Sequence, residues 1–168
     1  MINPIHQTQR HKIIKNQIRQ DNNTIYGARS MNAQLPTMIQ RPTEDYDVLS
    51  KTPKQSARKL EKALDANAGY DAYYTKPAEH KGTHKVISRG MVKGNKADDY
   101  TVADFTNPSS YRDVRRVKQN NLSYAHISER KKDALNSLNN PAYSFRHEKD
   151  RDDLNRINFS QRWRRLFK

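Results

Sequence analysis

The sequence of 168 residues contains no cysteine and no long apolar run. Without cysteine, the chain can form neither a disulfide framework nor a thiolate metal site. No stretch approaches the roughly 20 apolar residues that span a bilayer, and no apolar run follows the first charges, so we expect neither a membrane partner nor a recognisable secretion signal. Hydrophobic residues make up only 33% of the chain, which predicts one domain with a small core and polar extensions.

Positive charge is concentrated at the two ends of the sequence. Lys and Arg outnumber acids by 32 to 18, which gives a net charge of +14. Residues 1–42 carry +5, residues 43–111 carry +1 and residues 112–168 carry +8. Basic segments attract nucleic acid, anionic membrane or acidic protein, and charge alone does not separate these partners. A solubilising surface is the simplest alternative.

Hydrophobic periodicity and turn residues predict an α+β, or α/β-like, body with a helical C-terminal part. The predicted strands cover residues 25–26, 46–50, 72–76, 83–88 and 100–106. The predicted helices cover residues 3–20, 29–35, 52–68, 112–118, 123–138 and 147–157. We divide the chain accordingly into a basic N-terminal helix or arm (1–23), a core (24–110), a C-terminal helical part (111–157) and a basic aromatic tail (158–168).

Asp45 and Asp47 are the first candidate site residues. Carboxylates spaced i, i+2 on a strand point to the same face, so these two are expected to project together. Mg²⁺ prefers oxygen ligands and usually binds through one or two carboxylates plus substrate phosphates, so the pair is chemically sufficient to begin a metal site. The spacing is also common by chance, and solvated surface acids are the simpler alternative.

Gly27 and Asp104 add to the evidence for a metal and phosphate site. Gly27 lies at a predicted strand-to-helix turn, where a residue without Cβ lets backbone N–H groups approach a phosphate. Asp104 lies in an apolar strand, where an unpaired acid would be costly to bury. Its alternative roles are to cap a turn or to pair with a cation. Three acids that converge on two metal ions are a recurrent arrangement for in-line phosphoryl chemistry.

Two stretches, YGARS at 26–30 and RPTEDYD at 41–47, resemble the signature of the DNA polymerase beta-type nucleotidyltransferase superfamily. The resemblance is closest to antitoxin-linked and phage-encoded small nucleotidyltransferase-like proteins. In that branch a Gly-Gly or Gly-Ser turn precedes R-x-S/T-x-D-h-D, where h is apolar. The matching positions are Arg41, Thr43, Asp45 and Asp47, with Asp104 as the third family carboxylate.

A later segment resembles the helical part of the same branch. The matching residues are Lys131, Ala134, Leu135, Arg146, Lys149, Asp150, Asp153 and Leu154. The sequence departs from the family pattern in two places. Ala28 stands where Gly or Ser is usual, and the interval between the turn and the first Asp is longer than usual and contains Pro36 and Pro42.

The resemblance implies a nucleotidyltransferase-type mixed sheet flanked by helices, with a helical C-terminal part and basic terminal arms. It also implies transfer of a nucleoside monophosphate from an NTP to an unknown acceptor, with Mg²⁺ or Mn²⁺ as cofactor. The implied metal ligands and catalytic residues are Asp45, Asp47 and Asp104, of which Asp104 completes the second metal site and helps to activate the acceptor. The implied nucleotide contacts are Gly27, Ala28, Arg29, Lys131 and Lys149, although a lysine on a polar helix is more often a solvated residue.

The tail combines cations with aromatic side chains. The candidate residues for binding nucleic acid or a partner are Arg162, Trp163, Arg164, Arg165 and Lys168. Such a mixture suits nucleic acid with base stacking or an acidic protein groove, and packing of the aromatic residues onto the body is the alternative.

Two hypotheses of function follow, and both place the protein in the host cytoplasm or in a virion. The first is a phage-type nucleotidyltransferase. The second is a structural protein of a virion or other assembly that uses the same fold, with basic arms that contact neighbouring subunits or nucleic acid. A plain nucleic-acid-binding protein is less favoured, since the sequence contains no recognised DNA-reading motif.

Overall fold

Within residues 4–90, 99–107 and 114–166, which are those described by this computed structural model, seven strands form one mixed sheet. The strands are β1 (Thr24–Tyr26), β2 (Tyr46–Leu49), β3 (Tyr73–Pro77), β4 (Thr83–Ser88), β5 (Tyr100–Thr106), β6 (Arg116–Gln119) and β7 (Leu122–Ala125). Their order across the sheet is β3-β4-β5-β2-β1-β7-β6. The β1–β7 and β2–β5 pairs are parallel, and the other neighbours are antiparallel.

Five helices accompany the sheet in the described part of the chain. They are α1 (Pro4–Gln20), α2 (Gly27–Ala33), α3 (Pro53–Ala68), α4 (Ile127–Leu138) and α5 (His147–Leu166). Short 3-10 helices cover Thr37–Ile39 and Pro141–Arg146. None of the helices within these residues combines the length and apolar character of a membrane span.

The main core lies between one face of the sheet and helices α1 and α3. Helix α3 begins at Pro53, which suits a first helical position, and ends at Gly69 in the left-handed conformation. Its apolar stripe, which includes Leu60 and Leu64, is fully buried against the strands. Each such leucine contributes about 1.5–3 kcal/mol through removal of its surface from water. The N-terminal helix is part of this body, because Ile14 is buried in the same core.

On the opposite face, helices α2, α4 and α5 pack together beside β1 and β7. Met31, Leu35 and Ile157 form a second, smaller core there. Within the described residues, these helices cover the side of that face formed by β1, β2 and β7. The face of β3, β4 and β5 is therefore left to form the floor of an open cleft, with the C-terminal helices as its far wall.

The structure confirms the predicted mixed sheet flanked by helices and the helical C-terminal region. The predicted helix at 112–118 and the predicted start of the next helix at 123 are wrong in the described residues, because 116–119 and 122–125 form the β6–β7 hairpin. Asn120 and Asn121, with φ of 50° and 60°, make its two-residue turn, and Asn tolerates this conformation better than most residues. Helix α5 continues to Leu166 instead of ending at 157, since no Gly or Pro interrupts it.

Candidate active site

A row of side chains crosses the sheet at the centre of the cleft floor. Strand pairing places Tyr26 opposite Asp47, and Asp47 opposite Asp104. Asp104 in turn lies opposite Lys85, and Lys85 lies opposite Lys76. Directly paired residues project to the same face of a sheet. The row therefore brings two of the three predicted carboxylates side by side, with a lysine next to them.

Asp45 lies just before β2, two residues from Asp47, and all three predicted carboxylates line the cleft. The Thr43 hydroxyl donates a hydrogen bond to Asp45 Oδ1 at 3.1 Å. The cleft has a volume of about 1360 Å³, which exceeds the range of about 300–1,000 Å³ that is usual for small-molecule sites. It can therefore accommodate more than one substrate group.

Gly27 approaches Asp47 so closely that only glycine fits. Its φ is +65°, a conformation that L side chains rarely adopt, and a Cβ at this position would lie 2.1 Å from Asp47 Oδ2. Gly27 and Ala28 both line the cleft beside the carboxylates. The glycine predicted from the turn is therefore required by the position of an acid side chain as well as by the backbone.

The environment of Asp47 disfavours its charged form. Burial, followed by the charges of Asp45 and Asp104, raises the pKa of Asp47 to about 7, and the charges of Lys149 and Arg130 oppose this rise. Carboxylates that perturb one another in this way are close in space. A cation placed among them would remove the repulsion, as expected of a site that binds positive charge.

The protein supplies a partner for one of the two carboxylate oxygens of Asp104. Lys85 Nζ lies 3.1 Å from Asp104 Oδ2, whereas Asp104 Oδ1 is buried and has no hydrogen-bond partner among the described residues. Burial raises the pKa of Asp104 even though Lys85 acts in the opposite direction. An unpaired buried carboxylate oxygen is costly, so Oδ1 is suited to a ligand atom that the protein itself does not supply.

Arg29, predicted to contact the triphosphate, is turned to the loop that carries Asp45. Its guanidinium donates to the backbone oxygens of Thr43, Glu44 and Asp45 at 3.1, 2.8 and 2.5 Å. The same group lies 3.8 Å from the centre of the Tyr46 ring, a cation–π distance. Arg29 does not line the cleft. Its contacts position the loop backbone.

The two lysines that were predicted to contact the nucleotide lie in different parts of the structure. Lys149 lines the cleft, and its charge acts on Asp47. Lys131 instead donates to Asn158 Oδ1 at 3.1 Å and to Gln161 Oε1 at 3.3 Å, on the surface between α4 and α5. The structure therefore brings Lys149 to the carboxylates and does not bring Lys131 there.

A buried ion network connects the wall of the cleft to its floor. Arg130 donates to Asp153 Oδ2 at 2.8 Å and pairs with Asp150, and neither acid is exposed. Arg146 pairs with Asp150 at 3.0 Å. Burial alone would raise the pKa of Asp150, but hydrogen bonds from Arg130 and Arg146 hold it below its usual range.

The predicted tail forms the last turns of α5. Trp163 stacks on Phe159 with ring centres 6.0 Å apart, and Arg164 donates to the backbone oxygen of Gln34 at 2.9 Å. Arg162 and Arg165 are exposed. Lys168 lies outside the described residues.

The donors in the cleft fit a hard divalent cation that phosphate oxygens help to bind. Among the residues that the structure describes, no three His, Asp or Glu side chains are grouped closely enough to hold a metal ion by themselves. Mg²⁺ usually retains waters and binds through one or two carboxylates plus substrate phosphates. Asp45 and Asp47 meet this requirement, and the unpaired Asp104 Oδ1 is one further oxygen.

Sequence reasoning missed Lys85 and Arg130. The signal for Lys85 is a lysine inside a strand whose other residues are largely buried, and the signal for Arg130 is its place on the same helix face as Ile127 and Ala134. Both patterns indicate a nearby acid without identifying it. The pairing depends on sheet register and on helix packing, which are long-range properties.

No protein-family model and no curated protein matches the chain. Several solved structures, however, are similar to the chain. The polyadenylate synthase of Megavirus superposes with a TM-score of 0.75 and 22% identity over 92% of this chain and 31% of that one. JHP933 and a putative nucleotidyltransferase, both from Helicobacter pylori, superpose with TM-scores of 0.50 and 0.51 and 11% identity, over 82% of this chain.

This chain spans 31%, 58% and 59% of those three proteins, respectively. At such identities the likeness concerns the fold. Two of the three are a polyadenylate synthase and a putative nucleotidyltransferase, so the chain has a nucleotidyltransferase-type fold, as the sequence predicted.

Proposed function

We propose that this protein transfers a nucleoside monophosphate from an NTP to a hydroxyl acceptor, with Mg²⁺ or Mn²⁺ as cofactor. The observation that carries the proposal is the acid row: Asp47 and Asp104 lie in register on the cleft floor, with Asp45 two residues away. The fold of the chain supports the same reaction class. Fold alone does not establish function, whereas the acids of this site are specific to the proposed chemistry.

Each residue of the site has a distinct task in this reaction. Asp45 and Asp47 would hold the divalent ion together with the triphosphate. When bound, that ion supplies positive charge to the phosphates and lowers the barrier to attack on phosphorus. Gly27 leaves room beside Asp47 that a Cβ would fill, and Lys149 adds a cation from the facing wall of the cleft.

The transfer forms one bond and breaks another. The acceptor oxygen bonds to the α-phosphorus, the bond from that phosphorus to the bridging α–β oxygen breaks, and pyrophosphate leaves with the electron pair. Asp104 Oδ1 is suited to accept the proton of the acceptor hydroxyl, because it is buried and has no partner within the described protein. Asp104 thereby assists the acceptor, as the sequence resemblance implied.

The proposal is tested by binding and by the fate of a label. We expect Mn²⁺-dependent binding of NTP to the wild type and its loss in Asp45→Asn, with an unchanged circular dichroism spectrum. Asp71→Asn, at an exposed acid outside the cleft, is the matched control. Label at the α-phosphate should pass to an acceptor while label at the γ-phosphate is released in pyrophosphate. Absence of any metal-dependent NTP binding by the wild type would overturn the proposal.

A second function, assembly with other virion proteins or with nucleic acid, is favoured by the exposed end of α5. Arg162 and Arg165 are exposed there, next to the stacked Phe159 and Trp163. Under this alternative, Arg162→Ala with Arg165→Ala should abolish retention on single-stranded nucleic acid while NTP binding is unchanged. Loss of self-assembly without loss of nucleic-acid retention would instead indicate a protein partner. Membership of the phage or antitoxin-linked branch, and a location in host cytoplasm or virion, stay predictions.

A further inference from the structure

Lys85 lies in the row next to the acids, and the proposed reaction has not used it. It lies on β4 directly opposite Asp104 on β5. Its Nζ is 3.1 Å from Asp104 Oδ2, and both side chains are partly shielded from solvent, with exposures of 31% and 19%. A lysine ammonium is a compact point charge, so it places one positive charge directly beside Asp104.

The charges of the site balance with one divalent ion. Asp45, Asp47 and Asp104 carry three negative charges when ionised, and Lys85 neutralises one of them. The two remaining charges match a single divalent cation. Arg41, Arg130 and Arg146 pair with Asp150 and Asp153, which leaves one positive charge in excess, and this charge and that of Lys149 would be offset by the triphosphate.

We infer that Lys85 serves as a tethered cation at Asp104, so that the site takes one divalent ion instead of two. Asp45 and Asp47 would hold that ion together with the triphosphate. Asp104 keeps its lysine on Oδ2 and offers Oδ1 to the acceptor hydroxyl. This inference rests on the proposed function, and it departs from the two-metal arrangement that the sequence resemblance implied.

A purely structural role for Lys85 makes a different prediction. If the ion pair served only to offset the burial of Asp104, its removal would lower stability and leave the number of bound ions unchanged. A tethered cation has the opposite consequence. Without it, Asp104 has both oxygens free beside Asp47, and a second divalent ion no longer meets a like charge.

The number of bound Mn²⁺ ions distinguishes the two roles. We would measure it on the whole protein by electron paramagnetic resonance of free Mn²⁺, at saturation with an NTP analogue that cannot be cleaved between the α- and β-phosphates. The expected stoichiometry is one ion per chain in the wild type and two in Lys85→Met. Lys76→Met, the next residue in the row, is the matched control and should keep one, because Lys76 makes no ion pair among the described residues.

Each outcome has a definite meaning. Two ions in the wild type, or one ion in a folded Lys85→Met that still binds the analogue, would overturn the inference and leave the proposed function intact. If the wild type binds neither Mn²⁺ nor the nucleotide analogue, the proposed function is overturned as well. Lys85→Gln, which can keep a hydrogen bond to Asp104 without the charge, provides the same measurement if the methionine variant fails to fold.

Discussion

Arg41 Nε lies 2.6 Å from Asp153 Oδ1, which joins residues 112 positions apart in the chain. Arg41 belongs to the loop before β2 that carries Asp45, and Asp153 belongs to α5. Asp153 also accepts from Arg130 of α4. One buried carboxylate therefore fixes the loop of the cleft floor to both helices of the cleft wall. The stretch at 41–47 and the later helical segment, which both belong to the sequence resemblance, meet at this point.

Arg130→Ala should destabilise the fold strongly. The change leaves Asp150 and Asp153 buried without a main partner, and breaking a buried pair in this way costs about 3–5 kcal/mol. Urea unfolding should show this loss in the free energy of unfolding. The control is Arg156→Ala, whose partner Asp152 is half exposed and which also donates to the backbone oxygen of Ile39, and its cost should be about 1.5 kcal/mol or less. Equal losses for the two variants would contradict a dominant role for the network.

Gly27→Ala should be more harmful than the same change at Gly69. Both glycines have positive φ, but a Cβ at Gly69 would meet nothing within 4 Å, whereas one at Gly27 would collide with Asp47. We expect a loss of about 1–2 kcal/mol at Gly69 from the backbone conformation alone, and about 3–4 kcal/mol at Gly27, where overpacking adds to it. Only Gly27→Ala should also weaken Mn²⁺ binding. Indistinguishable unfolding curves would show that Asp47 can move aside freely.

Asp47→Asn should stabilise the metal-free protein while abolishing metal-dependent NTP binding. At pH 8 the neutral amide removes a buried charge that lies beside two other acids. A gain of about 1–2 kcal/mol corresponds to a rise in Tm of about 3–6 °C for a chain of this size. Differential scanning calorimetry with and without Mn²⁺ measures both effects. A fall in Tm of the metal-free variant would show that the Asp47 charge is compensated within the protein.

The stability of the metal-free protein should fall as pH rises from about 4 to 7. The folded-state pKa of Asp47 is raised to about 7, so between its unfolded and folded pKa values the folded state binds the proton more tightly than the unfolded chain does. The slope of the free energy of unfolding against pH is negative in this window. The difference between wild type and Asp47→Asn isolates this contribution from other groups. A difference that does not vary with pH would contradict it.

Arg29→Met should weaken Mn²⁺ binding at least tenfold through the loop that carries Asp45. The variant loses three hydrogen bonds to backbone oxygens, so Asp45 is no longer held in place. Binding of metal-free NTP should be unchanged, because Arg29 does not line the cleft. Lys149→Met is the complementary variant and should weaken metal-free NTP binding instead. If both variants lose metal-free NTP binding to the same extent, Arg29 contacts the phosphates, as predicted from the sequence.

The carboxylates were predictable because their signal is local. The i, i+2 spacing of Asp45 and Asp47 fixes a common direction on any strand, and the position of Asp104 within an apolar strand required a partner or a ligand. Lys85 was not predictable, since its pairing with Asp104 depends on the β4–β5 register, which shifts between Val86 and Ile87. The β6–β7 hairpin was not predicted, because Asn120 and Asn121 were interpreted as part of a loop between two helices.

The parallel pairing of β1 with β7 also sets the order in which the strands can assemble during synthesis on the ribosome. Thr24 pairs with Ser123, 99 residues later, and at about 5–20 residues per second this interval takes about 5–20 s. During that time β2 and β5 can already assemble on one side of β1. The other edge of β1 stays unpaired until β7 has been synthesised. That edge is only three residues long, which limits its capacity to recruit a second nascent chain. The acid row can therefore exist before the wall that closes the cleft has been translated.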